Sequence, residues 1–156
     1  QPMIYGGAQE RNMRGGTENT QGIIGLAKAL EICYAEMDEH IAHIQGLKNY
    51  MKGQLEKEIP GIEFNGETSN EKSLYTVLNC RFPAHPDAEM MLFNLDIMGI
   101  AASGGSACSS GSNQGSHVLR GIGADVSRAS VRFSFCKYTT KEEIDYTIEK
   151  LKGMLK

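Results

Sequence analysis

Residues 130–155, SVRFSFCKYTTKEEIDYTIEKLKGML, combine a strand pattern with a helix pattern. In the first part apolar residues alternate with polar or small ones, which predicts a strand with one apolar face made of Val131, Phe133 and Phe135. In the second part Thr140 and Glu143 have the spacing of a helix capping box. The residues that follow form an apolar stripe at helical spacing: Ile144, Ile148, Leu151 and Leu155.

The segment before Pro60 has the pattern of one long amphipathic helix over residues 20–59. Apolar residues recur there every three or four positions: Ile23, Ala27, Leu30, Cys33, Tyr34, Met37, Ile41, Ile44, Leu47, Met51, Leu55 and Ile59. A continuous helix would be about 57 Å long at roughly 1.5 Å per residue. Gly46 and Gly53 weaken the second half of this segment, so the helix is either continuous or broken near one of these glycines. Such a length predicts a helix that connects or braces two domains.

Residues 60–156 alternate between strand and helix patterns. The predicted elements are strands at 62–65, 73–82, 100–103 and 130–136, helices at 86–99 and 140–155, and one or two helical turns at 116–123. We therefore expect an α+β fold, with a small antiparallel or mixed sheet of three or four strands and helices packed on it. The long helix precedes this domain, and residues 1–19 are predicted to be loop.

Composition excludes several classes of function. The chain has 156 residues, 40% hydrophobic and 22% charged, which is enough for one domain with its own core. A net charge of −3 argues against a nucleic-acid surface, and no apolar run has the length of a membrane span. No signal peptide is recognised, and because the first residue is Gln1 we expect a piece of a longer protein.

The cysteine and histidine spacing predicts no metal site. The four cysteines contain no C-x-x-C pair, and the one close histidine pair, His40 and His43, lies on a charged helix and is expected to be solvated. A reduced, cytoplasmic chain is the expectation. Three cysteines lie within apolar patterns and are predicted to be buried structural residues: Cys33, Cys80 and Cys136.

The fourth cysteine lies in a different setting, the stretch AASGGSACSSGS at residues 101–112. Its neighbours are too small to bury a thiol, and Gly/Ser sequence gives a mobile chain. Cys108 is therefore a candidate reactive thiol on a tether, and the alternative is a small buried hydrophobe. We expect Cys108 to be the fastest of the four thiols to react, and residues 102–114 to be the most mobile internal segment.

Two further stretches are candidate binding sites. Arg132 lies on the predicted strand on the face opposite Val131 and Phe133, either as a solvated edge arginine or as a fork for a substrate carboxylate. In ERNMRGGTEN, residues 10–19, arginines, glycines and Thr17 precede a helix start. This pattern suits a phosphate site, and a plain capped loop is equally compatible with it.

These pieces together resemble a known family. ERNMRGGTEN, SGGSACSSGS, VLRGIG and SVRFSFCKYTTKEEID have the order and separation found in the C-terminal part of long-loop cysteine desulfurases. These are fold-type I enzymes of the class V aminotransferase group that use pyridoxal 5′-phosphate. The resemblance implies conversion of L-cysteine to L-alanine, with a persulfide formed on a loop cysteine and passed to a sulfur acceptor or scaffold protein. The sulfur would serve iron–sulfur cluster, thiolated cofactor or tRNA synthesis.

The resemblance also implies roles for individual residues and a domain layout. Cys108 matches the persulfide-forming nucleophile, Arg132 the arginine that holds the substrate carboxylate, and Thr17 the threonine that reaches the cofactor phosphate of the partner subunit in a homodimer. The expected layout is a loop from the cofactor-domain side at 1–19, a connecting helix at 20–59 and a small C-terminal domain at 60–156.

One departure from the family pattern is important. No lysine here has the Ser-x-His-Lys context of the cofactor lysine. We therefore expect this chain to be inactive alone and to bind no cofactor. The alternatives are a stand-alone sulfur-carrier or interaction module without pyridoxal phosphate chemistry, and a related lyase or selenocysteine-handling enzyme. A second departure, Gly104 where serine is common, was expected to be unimportant.

Overall fold

The computed structural model describes residues 1–104 and 116–155. It confirms the α+β class, since the described residues form five α-helices and one three-stranded antiparallel sheet. The chain divides into two compact units, Gln1–Met37 and Asp38–Lys156.

The first unit opens with a loop in which two backbone segments cross closely. Ile4 and Arg14 form a parallel bridge, and the Gly15 amide donates a hydrogen bond to the Ile4 carbonyl at 2.8 Å. A Cβ atom on Gly15 would lie 2.4 Å from the backbone nitrogen of Gly6. Glycine is therefore required at residue 15, because only a residue without a Cβ allows this approach.

Helix α1, Thr20–Ala35, follows this loop. Its N-terminus is capped by Asn19, whose side-chain oxygen accepts a hydrogen bond from the Gly22 amide at 3.0 Å. None of its residues is buried, and Leu26 is 71% exposed. The predicted apolar stripe is therefore open to solvent along α1.

The predicted 20–59 segment forms two helices, which are separated at Glu36. Helix α1 ends before Glu36, and α2, Met37–Glu58, passes through Gly46 and Gly53 without interruption. Both glycines are exposed in α2, whose opposite side buries Ile44, Leu47, Met51 and Leu55. Burial of this apolar side offsets the intrinsic cost of glycine in a helix, so α2 is not broken at Gly46 or Gly53.

The sheet has the order β1-β2-β3, with β1 at Glu63–Phe64, β2 at Val77–Arg81 and β3 at Ser130–Ser134. Both pairings are antiparallel, and Asn79 is opposite Arg132 in the β2–β3 register. The predicted strand at 100–103 contributes only an isolated antiparallel bridge between Ser103 and Arg132. The remaining helices are α3 at Met91–Ile97, α4 at His117–Gly121 and α5 at Lys141–Met154.

The core of the second unit lies between one face of the sheet and helices α2, α3 and α5. Alternation along β3 buries Val131, Phe133 and Phe135, as predicted. The α5 stripe is buried at Ile144, Ile148 and Leu151. The other buried apolar residues of this cluster are Ile44, Leu47, Met51, Leu55, Ile59, Leu78, Cys80, Phe82, Met91, Leu95 and Ile100.

The predicted capping box of α5 is confirmed. The Thr140 side chain accepts a hydrogen bond from the Glu143 amide at 3.3 Å, and the Glu143 carboxylate accepts one from the Thr140 amide at 2.8 Å. This box satisfies two backbone donors at the helix start and defines where the chain leaves β3 and enters α5.

One lysine is part of the buried side of α2. Lys48 is 1% exposed, and its ammonium donates hydrogen bonds to the Ser73 hydroxyl at 2.6 Å and to the Leu74 carbonyl at 2.9 Å. Burial lowers the pKa of Lys48 below its ordinary value of 10.5. The lysine thus holds the loop before β2 against the helix, and its charged form is disfavoured there.

Lys48 predicts a pH-dependent contribution to stability. Because its pKa is lower in the folded state, the unfolded state keeps the proton to higher pH, and folding stability rises as pH increases toward 10.5. Urea unfolding from neutral to alkaline pH should therefore show the parent chain gaining stability relative to Lys48→Met. The exposed Lys72→Met is the matched control and should keep a constant difference. A constant difference for Lys48→Met as well would contradict the prediction.

Candidate active site

The face of the sheet opposite the core carries the polar side chains of β2 and β3. Alternation places Asn79 and Arg81 of β2 on this face, together with Ser130 and Arg132 of β3. The second unit therefore has one sheet face for packing and one for polar contacts. Arg132, predicted from the strand pattern, lies on the polar face and is exposed.

Two other arginines at this sheet are engaged by the same carboxylate. Glu63 accepts a hydrogen bond from Arg81 and one at 2.7 Å from Arg128. Hydrogen bonds from Arg81 and Arg128 lower the pKa of the Glu63 carboxyl, so this carboxyl stays ionised. Arg128 also donates hydrogen bonds to the backbone carbonyls of Phe82, at 2.8 Å, and Gly61, at 2.7 Å. Both guanidiniums are thus paired with a carboxylate within the fold.

Arg132 differs from them. In the described part of the chain its guanidinium has no carboxylate partner within salt-bridge distance and donates no side-chain hydrogen bond. An exposed guanidinium with all its donors available suits two-point binding of an external carboxylate or phosphate.

The backbone of Arg132 holds the segment that leads into the small-residue stretch. The Arg132 amide donates to the Ser103 carbonyl at 2.7 Å, and the Ser103 amide donates to the Arg132 carbonyl at 3.1 Å. Ser103 therefore lies beside Arg132 on the side away from β2, and the sequence pattern alone had not linked these two residues.

Gly104 is the next residue, and its lack of a side chain matters. A Cβ atom there would lie 2.3 Å from Leu92 Cδ1 and 3.3 Å from Leu92 Cγ. Leu92 of α3 packs on the core and occupies the space that a serine would need. A side chain at residue 104 would therefore have to displace the end of the Leu92 side chain, and the expectation that this departure is unimportant stays a prediction.

A hydrogen-bonded amide network, missed in the sequence, lies next to Arg132. The Asn65 side-chain nitrogen donates to the Asn79 side-chain oxygen at 2.9 Å and to the Ser130 hydroxyl at 3.0 Å. Asn65 Oδ1 is buried and has no partner among the described residues. The one indication in the sequence was a polar residue, Asn79, inside a strand pattern. That Asn65 and Ser130 lie beside it depends on how the strands pair, which the strand pattern does not show.

Thr17 lies in the first unit, between the glycine crossing and α1. It is exposed, and its hydroxyl makes no hydrogen bond within the described residues. Nearby, Arg14 donates to the Gly15 carbonyl at 3.1 Å, and the Gly16 amide donates to the Gln9 side chain at 3.2 Å. Thr17 and Arg132 belong to separate units, and the predicted roles of both stay predictions.

The thiols correct part of the sequence analysis. Cys108 lies outside the described residues, as does nearly all of the segment predicted to be mobile. Cys80 is buried as predicted, and burial raises the pKa of its thiol. Cys33 and Cys136 are exposed, so their predicted burial was wrong. Cys33 lies on α1, where no residue is buried, and Cys136 directly follows the buried Phe135.

Cys136 has a distinct environment. The Thr139 hydroxyl lies 3.7 Å from its sulfur as a hydrogen-bond donor, and the Cys136 amide donates to that hydroxyl oxygen at 3.0 Å. The Tyr138 amide and the Thr139 hydroxyl lower the pKa of the Cys136 thiol. Hydrogen bonds to sulfur favour the thiolate, the nucleophilic form.

The described residues offer no metal centre or membrane span. No group of three or more His, Cys, Asp or Glu side chains comes together in them to hold a metal ion. His43 is exposed, with its Nε2 3.1 Å from the Thr139 carbonyl oxygen. None of the helices at 1–104 and 116–155 is both long and apolar enough to cross a membrane.

Comparison with known proteins identifies the family. The class-V aminotransferase family matches residues 5–147, and the chain belongs to that family. A cysteine desulfurase IscS of Dictyoglomus turgidum is 42% identical over 156 residues, which cover 99% of this chain and 39% of the relative. A cysteine desulfurase of Trichormus azollae is 39% identical over 150 residues, which cover 95% of this chain and 37% of the relative.

Solved structures agree with the sequence relatives. A NifS-like protein superposes with a TM-score of 0.78 at 33% identity, over 99% of this chain and 39% of that one. A NifS-like protein from Rickettsia africae gives a TM-score of 0.75 at 26% identity, with the same coverage. The chain thus spans about two fifths of the length of the curated relatives it matches, which are named cysteine desulfurases.

The thiol environments predict an order of alkylation in the native chain. Cys108 is expected to react fastest because its neighbours cannot bury it, followed by Cys136 and then Cys33, and Cys80 is expected to react only after unfolding. Brief alkylation followed by peptide mapping measures the order. Thr139→Val should slow Cys136 near neutral pH and leave Cys33 unchanged, since it removes a donor to the sulfur. Preferential labelling of Cys80 would contradict the order.

Proposed function

We propose that this chain supplies the persulfide-forming thiol and the substrate-carboxylate arginine of a pyridoxal 5′-phosphate-dependent cysteine desulfurase. The substrate is L-cysteine, and the products are L-alanine and a persulfide on Cys108. The sulfur then passes to an acceptor or scaffold protein for iron–sulfur cluster, thiolated cofactor or tRNA synthesis. Family membership and the set of desulfurase relatives support this assignment.

The observation that carries the proposal is the state of Arg132. Arg81 and Arg128 are both paired with Glu63, whereas Arg132 is exposed and has no carboxylate partner among the described residues. In this proposal Arg132 binds the α-carboxylate of the amino acid in two-point fashion and so fixes the orientation of the rest of the substrate.

Chain connectivity supports the role of Cys108. Ser103 is hydrogen-bonded to Arg132, and Cys108 follows five residues later. At about 3.3–3.6 Å per residue, its Cα lies at most about 18 Å from that of Ser103. In this proposal the tether is long enough for the Cys108 thiol to reach a small substrate bound at Arg132. We propose that the five-residue separation of Ser103 and Cys108 keeps the thiol within reach of the substrate.

The sulfur-transfer step balances without a further oxidant. The Cys108 thiolate attacks the substrate sulfur, an S–S bond forms and the substrate C–S bond breaks. The electron pair of that bond stays with the carbon fragment, which leaves as L-alanine after protonation. Cys108 then holds the sulfur as a persulfide for an acceptor thiol.

The residues present fit one end of pyridoxal phosphate. The free Thr17 hydroxyl, in a glycine-containing loop before α1, suits its phosphate group. We propose that Thr17 contacts the cofactor phosphate of the partner subunit in a cytoplasmic homodimer. The cofactor, when bound, acts as an electron sink for the amino acid. No lysine of this chain has the Ser-x-His-Lys context, so the residue that anchors the cofactor is expected outside it.

Substitutions in the complete pyridoxal phosphate enzyme test the two assigned side chains. Cys108→Ala should abolish persulfide formation, because the attacking thiolate is lost, and Cys136→Ala should retain it as the matched control. Arg132→Ala should raise KM for L-cysteine about 10- to 100-fold through loss of charge-assisted hydrogen bonds. Persulfide labelling and steady-state kinetics measure both. Normal persulfide formation in Cys108→Ala would contradict the proposal.

Titration of the 156-residue chain with pyridoxal phosphate separates a desulfurase portion from a self-sufficient enzyme. We expect no stoichiometric binding in equilibrium dialysis, because only the phosphate end of the site is present. Thr17→Ala is the control for weak phosphate binding and should reduce any residual association. Saturable one-to-one binding would contradict the expectation that this chain holds only the phosphate end of the site.

A further inference from the structure

We propose that Asn79 is a second substrate-binding residue, whose side-chain amide donates a hydrogen bond to the same carboxylate that Arg132 binds. This inference rests on the proposed function, because it adds a residue to the site assigned there. It comes from the strand register and the side-chain hydrogen bonds of the second unit.

The backbone hydrogen bonds of Arg132 show how close the two side chains are. Both the amide and the carbonyl of Arg132 bond to Ser103, on the side away from β2. Asn79 and Arg132, which are opposite each other in the β2–β3 register, are therefore a non-hydrogen-bonded pair. In antiparallel sheets such pairs have the closer Cα–Cα distance, about 4.5 Å, and their side chains lie side by side on one face.

The Asn79 amide is also oriented. Its oxygen accepts the hydrogen bond from Asn65 at 2.9 Å, and Asn65 is itself bonded to Ser130 at 3.0 Å. Because the oxygen is engaged, the Asn79 nitrogen and its two hydrogens are directed away from Asn65. Within the described residues this nitrogen donates no hydrogen bond.

Two sets of unused donors thus lie side by side on one face of the sheet, one from a guanidinium and one from an amide. The Asn79 side-chain nitrogen and the Arg132 guanidinium can together donate to an anion with more than one oxygen. An amino-acid carboxylate has two such oxygens. The Glu63 carboxylate, the acidic group bonded to the arginines of this sheet, already engages Arg81 and Arg128. The geometry therefore favours an external carboxylate shared by Arg132 and Asn79.

The test compares ligands with and without a carboxylate, using the complete enzyme with its pyridoxal phosphate. L-Alanine has the α-carboxylate of the product, and ethylamine is the same amine without it. In Asn79→Ala the dissociation constant of L-alanine should rise about tenfold, and that of ethylamine should stay within about twofold. Asn79→Asp, which keeps the shape and the bond from Asn65 but adds a negative charge, should weaken L-alanine binding further. Calorimetric titration measures each constant.

Controls distinguish failure of this inference from failure of the proposed function. Asn49→Ala removes an exposed amide on α2 and should change neither constant. Arg132→Ala should show the same selective loss of L-alanine. If Arg132→Ala weakens L-alanine binding selectively and Asn79→Ala does not, Asn79 has no role in carboxylate binding. If neither variant weakens L-alanine binding selectively, the assignment of Arg132 itself is overturned. Equal weakening of both ligands by Asn79→Ala and Asn79→Asp would indicate a structural role and overturn the inference.

Discussion

The register of β2 against β3 is the constraint on which the rest of the second unit depends. Leu78 and Cys80 of β2 and Val131 and Phe133 of β3 are buried on one face, so the residues between them must occupy the other. A shift of one residue would move Arg132 into the core and Phe133 into solvent. The cost of burying a guanidinium without a partner makes that alternative strongly unfavourable. Hydrophobic burial thereby determines where the polar site lies.

On the polar face of the sheet, Arg81 and Arg128 share the Glu63 carboxylate, and Arg132 has no carboxylate partner among the described residues. Glu63, opposite Arg81 in the β1–β2 register, can serve both Arg81 and Arg128, because its two oxygens accept separately. Arg128 also bonds to backbone carbonyls, which ties the entry of β3 to the edge of the sheet. An internal carboxylate beside Arg132 would compete with a substrate. The described residues place none there, which is consistent with a binding role for Arg132.

Local patterns predicted the parts of the fold that local physics decides. The capping box at Thr140 and the alternation along β3 are properties of a few neighbouring residues, and both were confirmed. The exposure of Cys33 was not predictable, because the apolar stripe of α1 says nothing about what packs against it. The pairing of Asn79 with Arg132 joins residues far apart in sequence. The alternation within each strand does not determine the register between them, so the sequence alone did not predict this pair.

The backbone of Arg132 connects the two chemical functions proposed for this chain. The Arg132 amide and carbonyl both bond to Ser103, so Arg132 and Asn79 form a non-hydrogen-bonded pair between β3 and β2. Such pairs have the shorter of the two Cα–Cα distances in an antiparallel sheet. The same two bonds hold the start of the segment that contains Cys108, and Leu92 packs where a side chain on Gly104 would lie. A larger residue at Gly104 must displace either Leu92 or the Ser103–Arg132 bridge. Displacement of that bridge would move both the proposed carboxylate-binding arginine and the start of the segment that contains Cys108. In the proposed function, carboxylate binding and the start of the Cys108 segment would therefore depend on the same pair of backbone hydrogen bonds, and Gly104 lies directly beside that pair.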